Sequence, residues 1–314
     1  MAQITVIGGG VAGLTCTLEL ARAGHIVRCV REIPASLTVS RVAGGLWFPY
    51  HVEPRERVLE WGIATFRRFA ELAEDPFAGV RFVEGLMVHR GEPDLWWTAG
   101  IPMVRPAHPE ELPDGAVAGT VASVPLIETG AHLAWLERQC WLAGAEVASG
   151  RVESLSHAAL AGADVVVVAA GLGSSELVDD PELVPGRGQV VRLLDPGLRR
   201  WYVDGDDPNA LTYILPHGND VVCGGTDVAG SWDTEPDPEV EADILARCRA
   251  AVPELADAPV VGRAVGLRPN APAVRLERLT IAGRTVITNY GHGGAGLTLA
   301  WGCAAEVVSL VERG

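Results

Sequence analysis

The chain has 314 residues, 48% hydrophobic and 21% charged, with a net charge of −15. That length can bury a real core in one large or two modest domains. The acidic balance argues against DNA, RNA or an anionic membrane as the main partner, since each needs a basic face. All 25 basic residues are arginine, which removes Schiff-base chemistry and lysine-dependent phosphate loops.

Gln3–Ile7 is predicted to be a buried strand. Gly8, Gly10 and Gly13 follow as G-x-G-x-x-G, with Val11 in the turn, ahead of a helix predicted over Gly13–Ala23. His25–Val30 completes the strand–helix–strand start of a dinucleotide-binding fold. The first glycine permits the tight turn, the second lets pyrophosphate approach, and the third brings helix and strand together. An acid for the ribose hydroxyls belongs at the end of the second strand. Glu32 stands there, 24 positions after Gly8 (32 − 8). Arg31 beside it can stack on adenine or touch a phosphate; the plainer reading of Arg31-Glu32 is a solvated charge pair.

The loop Val42–Tyr50 sets the small residues Ala43, Gly44 and Gly45 before the bulky Leu46, Trp47 and Phe48. It can turn backbone groups towards a flat heterocycle, or be a buried connection. Arg55–Glu74 is predicted as an amphipathic helix with Val58, Trp61, Ala64, Phe66 and Phe69 facing inward. Residues 76–125 read as short strands and turns. The Trp96-Trp97 pair there reads as the interface of a homodimer or as aromatic core. Thr129–Ala143 is a further helix, with Leu133, Leu136, Cys140 and Leu142 as inner positions. Val165–Gly171 is a continuous apolar strand, as in a parallel sheet covered on both faces.

Residues 204–209 form a turn-rich surface loop, and Tyr213–Pro216 with Asp220–Gly225 a β-hairpin. Glu239–Ala251 is a helix and Thr285–Asn289 a strand. Gly291, Gly293, Gly294 and Gly296 then open a last helix over Gly296–Val311. A helix start carries unpaired N–H groups and roughly half a positive charge, and glycines let a ligand rest on them. Two such starts, one near each end of the chain, can hold the two ends of one long anionic cofactor, read here as FAD.

The fold class expected is α/β: a discontinuous Rossmann-like FAD-binding domain (1–47, 130–185 and 265–314) with an inserted β-rich substrate and interface domain (48–129 and 186–264). The six cysteines are scattered, with no C-x-x-C pair, so buried free thiols in a reducing compartment are expected and no metal is called. No apolar run reaches the length of a membrane span, and the first strand starts at once without a signal peptide. The cytoplasm is the expected location.

Four blocks resemble the D-amino-acid oxidase family. They are Ala43-Gly44-Gly45-Leu46-Trp47-Phe48-Pro49-Tyr50, Pro185-Gly186-Arg187-Gly188-Gln189, Gly266-Leu267-Arg268-Pro269 with Val274-Arg275-Leu276-Glu277, and Asn289–Thr298 with Trp301-Gly302-Cys303. The resemblance runs over nearly the whole chain. It implies a non-covalently held FAD, a D-amino acid and O2 as substrates, and oxidative deamination to a 2-oxo acid, ammonia and hydrogen peroxide. It further implies that Arg268 and Tyr213 hold the substrate carboxylate and that the Gly294 carbonyl accepts from the substrate amine. Val152 and Gly171 match further cofactor-contacting positions, as do Gly44, Gly45, Leu46, Gly293, Gly296, Leu297 and Thr298. Physical chemistry supports the first role independently, because a guanidinium offers a fixed fork that pairs bidentately with a carboxylate. For His292 a part in stabilising the cofactor and a simple bond to backbone are both open.

Two departures from the family stand out. The stretch before Tyr213 lacks the second tyrosine that forms a lid in mammalian relatives, so a more open entrance is expected. Relatives specialised for D-aspartate carry arginine after Gly-Gly-Thr, where this chain has Asp227. An acid there repels a second carboxylate, so neutral or basic D-amino acids are expected over D-aspartate. Another flavin oxidase acting on glycine or sarcosine is the alternative.

Overall fold

The computed structural model describes residues 1–206 and 210–313. Residues 207–209, part of the expected surface loop, and Gly314 lie outside the described residues. Two sheets organise the chain. The first has six strands in the order Arg278–Ile281, Arg284–Thr288, Val165–Val168, Gln3–Ile7, Ile26–Arg31 and Glu146–Ser149. All neighbours in it run parallel except the first pair. Val165–Val168 sits in its middle with every side chain buried, which is why that segment is apolar on both faces.

On one face of this sheet the Val11–Arg22 and Gly296–Glu312 helices lie against each other, and Arg55–Leu72 packs on the latter. The last contact is very close. A Cβ on Gly302 would lie 2.3 Å from the Trp61 carbonyl oxygen, and the Gly302 N–H donates to Thr65 Oγ1 at 2.9 Å. Within Arg55–Leu72 the inner positions are Val58, Trp61, Phe66 and Phe69 as expected, while Thr65 is buried in place of Ala64, which is exposed. In Thr129–Leu142, Leu133, Leu136 and Cys140 are buried but Leu142 is 57% exposed. Gly293–Glu312 does carry enough length and hydropathy to cross a membrane, contrary to the sequence expectation. It is the central core helix, its apolar faces covered by protein.

The second sheet runs Tyr290–His292, Val260–Arg275, Val184–Leu194, Asp220–Gly224, Thr212–Pro216, Trp201–Asp204, Val80–His89, Ala118–Ile127 and Val104–Pro106, with Val228–Ala229 paired to Val184–Leu194. Two long strands correct the expectation of short ones over residues 76–125, and a third lies where no strand was predicted. Val80–His89 and Ala118–Ile127 pair over ten residues, and Val260–Arg275 spans sixteen. Glycines and prolines are built into the sheet here. Pro269 faces Pro185, an arrangement possible where a facing pair exchanges no ladder bonds. The expected domain boundary at residue 265 falls within this sixteen-residue strand. All six cysteines are buried and free.

Candidate active site

A cavity of about 1300 Å³ is walled by both sheets, larger than the roughly 300–1,000 Å³ usual for a drug-sized ligand. At one end Gly8, Gly9, Gly10, Val11 and Ala12 line it with Glu32, Ser40, Val152 and Gly171. The glycines are required by contact. A Cβ on Gly8, whose φ is +127°, would meet the Ala169 carbonyl oxygen at 2.2 Å, and one on Gly13 would meet the Gly8 carbonyl oxygen at 1.9 Å. Gly13 thus lies off the cavity and fixes helix against strand. The Val11–Arg22 helix has no side-chain cap from Gly10; instead its first N–H, from Val11, donates to Ser40 Oγ at 3.1 Å.

The second helix start meets the same cavity. Gly293, Gly294, Gly296 and Leu297 line it, and the Gly296–Glu312 helix also lacks a side-chain cap. Two helix N-termini therefore face one space, an electrostatic field suited to an anionic or electron-rich ligand. His292 beside them is wholly buried, and that burial lowers its pKa to about 4, so the ring is neutral. Its Nε2 lies 3.1 Å from Asn289 Oδ1, which can only accept, so Nε2 carries the proton.

The Val42–Tyr50 loop supplies a side wall through Ala43, Gly44, Gly45, Leu46, Phe48 and Tyr50. It is stitched to the strand behind it, with Ile127 N–H donating to the Gly45 carbonyl and Trp47 N–H to the Pro125 carbonyl, both at 2.9 Å. His217 Nε2 holds the Gly44 carbonyl at 2.9 Å. Thr298, expected on the cofactor, braces this wall with its side chain. Its hydroxyl accepts from Phe48 N–H at 3.1 Å and donates to the Phe48 carbonyl at 2.9 Å.

Arg31 also differs from expectation. Its guanidinium leaves the cavity and pairs with Glu137, while its aliphatic part fills the space beside Gly9. Glu32 does line the cavity, paired with Arg151 at 3.4 Å. Sequence reasoning missed Thr38, Val39 and Ser40 among the lining residues. A Ser/Thr-rich stretch just after the second strand was the available signal.

At the other end the walls are side chains. Tyr213 comes from the Thr212–Pro216 strand and Arg268 from Val260–Arg275, and both line the cavity with Tyr50 and Gly294. Arg268 lies over Gly188, where a Cβ would stand 2.5 Å from Nη1. The Tyr213 ring rests on Gly224 and Gly225, where added Cβ atoms would come within 2.2 and 2.4 Å of it. Only bare backbone lets these two groups occupy their places. Burial raises the Tyr213 pKa, and burial with the nearby Asp227 carboxylate raises Tyr50 to about 12. Both hydroxyls are therefore donors at neutral pH.

The Arg268 side chain is 16% exposed. Nη1 donates to the Thr226 carbonyl at 2.8 Å and lies 3.4 Å from Asp227 Oδ1. The rest of its fork is turned to the cavity, so it can take a ligand carboxylate with charge-assisted hydrogen bonds. Trp97 is core at 2% exposure, packed edge-on to Phe48.

A dinucleotide with a flat ring fits this shape: glycines where phosphates must come close, a carboxylate for a ribose, and a backbone-rich wall beside an uncapped helix. A family model described as FAD dependent oxidoreductase matches residues 3–310. The chain is 44% identical over 315 residues to a D-amino-acid oxidase of Rubrobacter xylanophilus, covering 99% of this chain and 96% of that protein. It is 45% identical to a D-amino-acid oxidase of Streptomyces coelicolor, covering 99% and 97%. Among solved structures, a glycine oxidase of Geobacillus kaustophilus superposes with a TM-score of 0.83 at 20% identity, covering 100% of this chain and 95% of the other; at that identity the likeness is one of fold. The chain belongs to the family of FAD-dependent oxidoreductases that includes the D-amino-acid oxidases.

Proposed function

We propose that the chain oxidises D-amino acids to 2-oxo acids, ammonia and hydrogen peroxide, with neutral or basic side chains preferred over D-aspartate. The observation that carries this reading is the convergence of Arg268 and Tyr213 on the cavity that the two glycine-rich helix starts share. Bound FAD would accept a hydride from the substrate Cα–H and pass the electrons to dioxygen. Gly8, Gly10, Val11, Glu32, Gly44, Gly45, Leu46, Val152, Gly171, Gly293, Gly296 and Leu297 would hold it.

The chain's own residues supply orientation and field. Arg268 takes the α-carboxylate with its free donors, and the Tyr213 hydroxyl donates to the same group. The Gly294 carbonyl accepts from the amine. Three contacts on two substituents orient Cα in the cavity, and such positioning contributes a large share of rate enhancement. The uncapped start of the Gly296–Glu312 helix favours negative charge gained during reduction, which lowers the transition state more than the ground state. No side-chain base is needed if the amine enters neutral, and the two raised tyrosines stay protonated.

A peroxide assay across D- and L-amino acids, with glycine and sarcosine included, tests this reading. D-alanine and D-arginine should turn over, D-aspartate less efficiently, and the L-enantiomers not at all. Faster turnover of glycine or sarcosine than of any D-amino acid would replace it with the alternative.

A further inference from the structure

Asp227 is the acidic residue beside the guanidinium just assigned to the substrate carboxylate. It is firmly held. The chain enters from Gly224-Gly225-Thr226, and the Val228–Ala229 segment after it pairs with Gly186 and Arg187. A Cβ on Gly186 would stand 2.7 Å from Asp227 Oδ1, so the carboxylate packs on bare backbone. Oδ1 is sealed from solvent and, among the described residues, takes no hydrogen bond. Its nearest charge is Arg268 Nη1, at 3.4 Å, and both side chains are largely buried.

Before any ligand arrives, Arg268 and Asp227 together carry no net charge. A ligand carboxylate on the remaining donors of Arg268 brings a second anion to the same guanidinium. In a partly buried site that repulsion is little screened. We propose that Asp227 is a positioning and specificity residue: it packs beside Arg268 Nη1, which the Thr226 carbonyl holds, and, as a resident anion, weakens the hold of Arg268 on every incoming carboxylate. This rests on the reading that Arg268 anchors the substrate.

The proposal differs from a rejection of D-aspartate alone, because it predicts weakened binding of plain monocarboxylates too. Asp227→Asn keeps the size of the side chain beside Nη1 while removing the charge, so it isolates the electrostatic part of the role. Asp227→Ala removes both. The holoenzymes are compared by steady-state kinetics with D-alanine and by titration with butyrate, a monocarboxylate without an amine, followed in the flavin absorbance. The KM for D-alanine and the Kd for butyrate should each fall about tenfold in Asp227→Asn. Its kcat should stay within about threefold, because carboxylate binding is common to ground and transition states. In Asp227→Ala kcat should fall as well, since the fork loses its orientation.

Melting temperatures check that the fold is intact, and Asp227→Ser answers the same question should the asparagine variant give no soluble holoenzyme. If butyrate competes with D-alanine in the parent but binds Asp227→Asn no more tightly, the proposal is overturned and the anchoring role of Arg268 stands. If butyrate neither competes nor perturbs the flavin in the parent, the anchoring role falls and the proposal with it.

Discussion

The two ends of the cavity are built from different materials. At the helix-start end, led by Gly8 to Ala12, the contacts come from backbone. At the anchoring end they come from side chains on three separate segments, Tyr50, Tyr213 and Arg268. Backbone walls tolerate no added atom, and side-chain walls tolerate no change of chemistry. Substitutions should therefore fail in distinct ways at the two ends, by loss of packing and cofactor at one and by loss of turnover with the cofactor retained at the other.

The largest effect should come from Arg268→Leu. Loss of the carboxylate anchor leaves Asp227 buried without its cation, and kcat/KM for D-alanine should fall about a thousandfold. The flavin absorbance of the purified protein should be unchanged. Loss of flavin along with activity would erase the distinction between the ends. Next in size, Gly13→Ala puts a Cβ 1.9 Å from the Gly8 carbonyl oxygen. Overpacking against backbone should cost about 3 kcal/mol, read as a lower melting temperature and a paler protein.

A smaller effect is set by pH and lies outside both ends. His132 is fully buried, its Nδ1 2.8 Å from the Ala78 carbonyl, and burial lowers its pKa to about 4. Unfolded, the ring titrates near 6.5. Between those values the unfolded chain binds the extra proton, so this contribution is present above about pH 6.5 and is lost as the pH falls towards 4, about 2 kcal/mol by pH 5. Thermal unfolding at pH 7 and pH 5 should show that slope, flattened in His132→Asn; equal slopes would contradict it. The smallest change expected is in Thr298→Val, which removes both bonds to the Phe48 backbone. It should cost about 1 kcal/mol and raise KM modestly as the side wall loosens.

The same contrast decides what could be read without a structure. The helix-start end was legible because its requirement is local: glycines at fixed offsets between a strand and a helix. Even there, Gly13, Arg31 and Thr298 lie away from the cavity they were expected to touch. Gly13 is spent on packing, Arg31 is drawn to Glu137, and Thr298 has a backbone partner 250 positions away. No spacing rule sees such partners. At the anchoring end, Arg268 and Tyr213 came from family resemblance, because nothing in their separation in the chain announces that they meet. The strands carrying this end were the least legible part of the fold. Pro185, Gly186, Gly188, Gly266 and Pro269 entered only as blocks of a resemblance, with no strand predicted over them, and bare backbone at Gly188 is what lets the Arg268 side chain lie across the sheet.

The two glycine-rich helix starts also bear on how the protein is made. One leaves the ribosome well before the other, and neither alone encloses the space between them. A chain interrupted late in synthesis would hold only half of that enclosure. Loading of the flavin should thus act as a seal on finished copies, and yellow colour during expression should track completed chains rather than initiated ones.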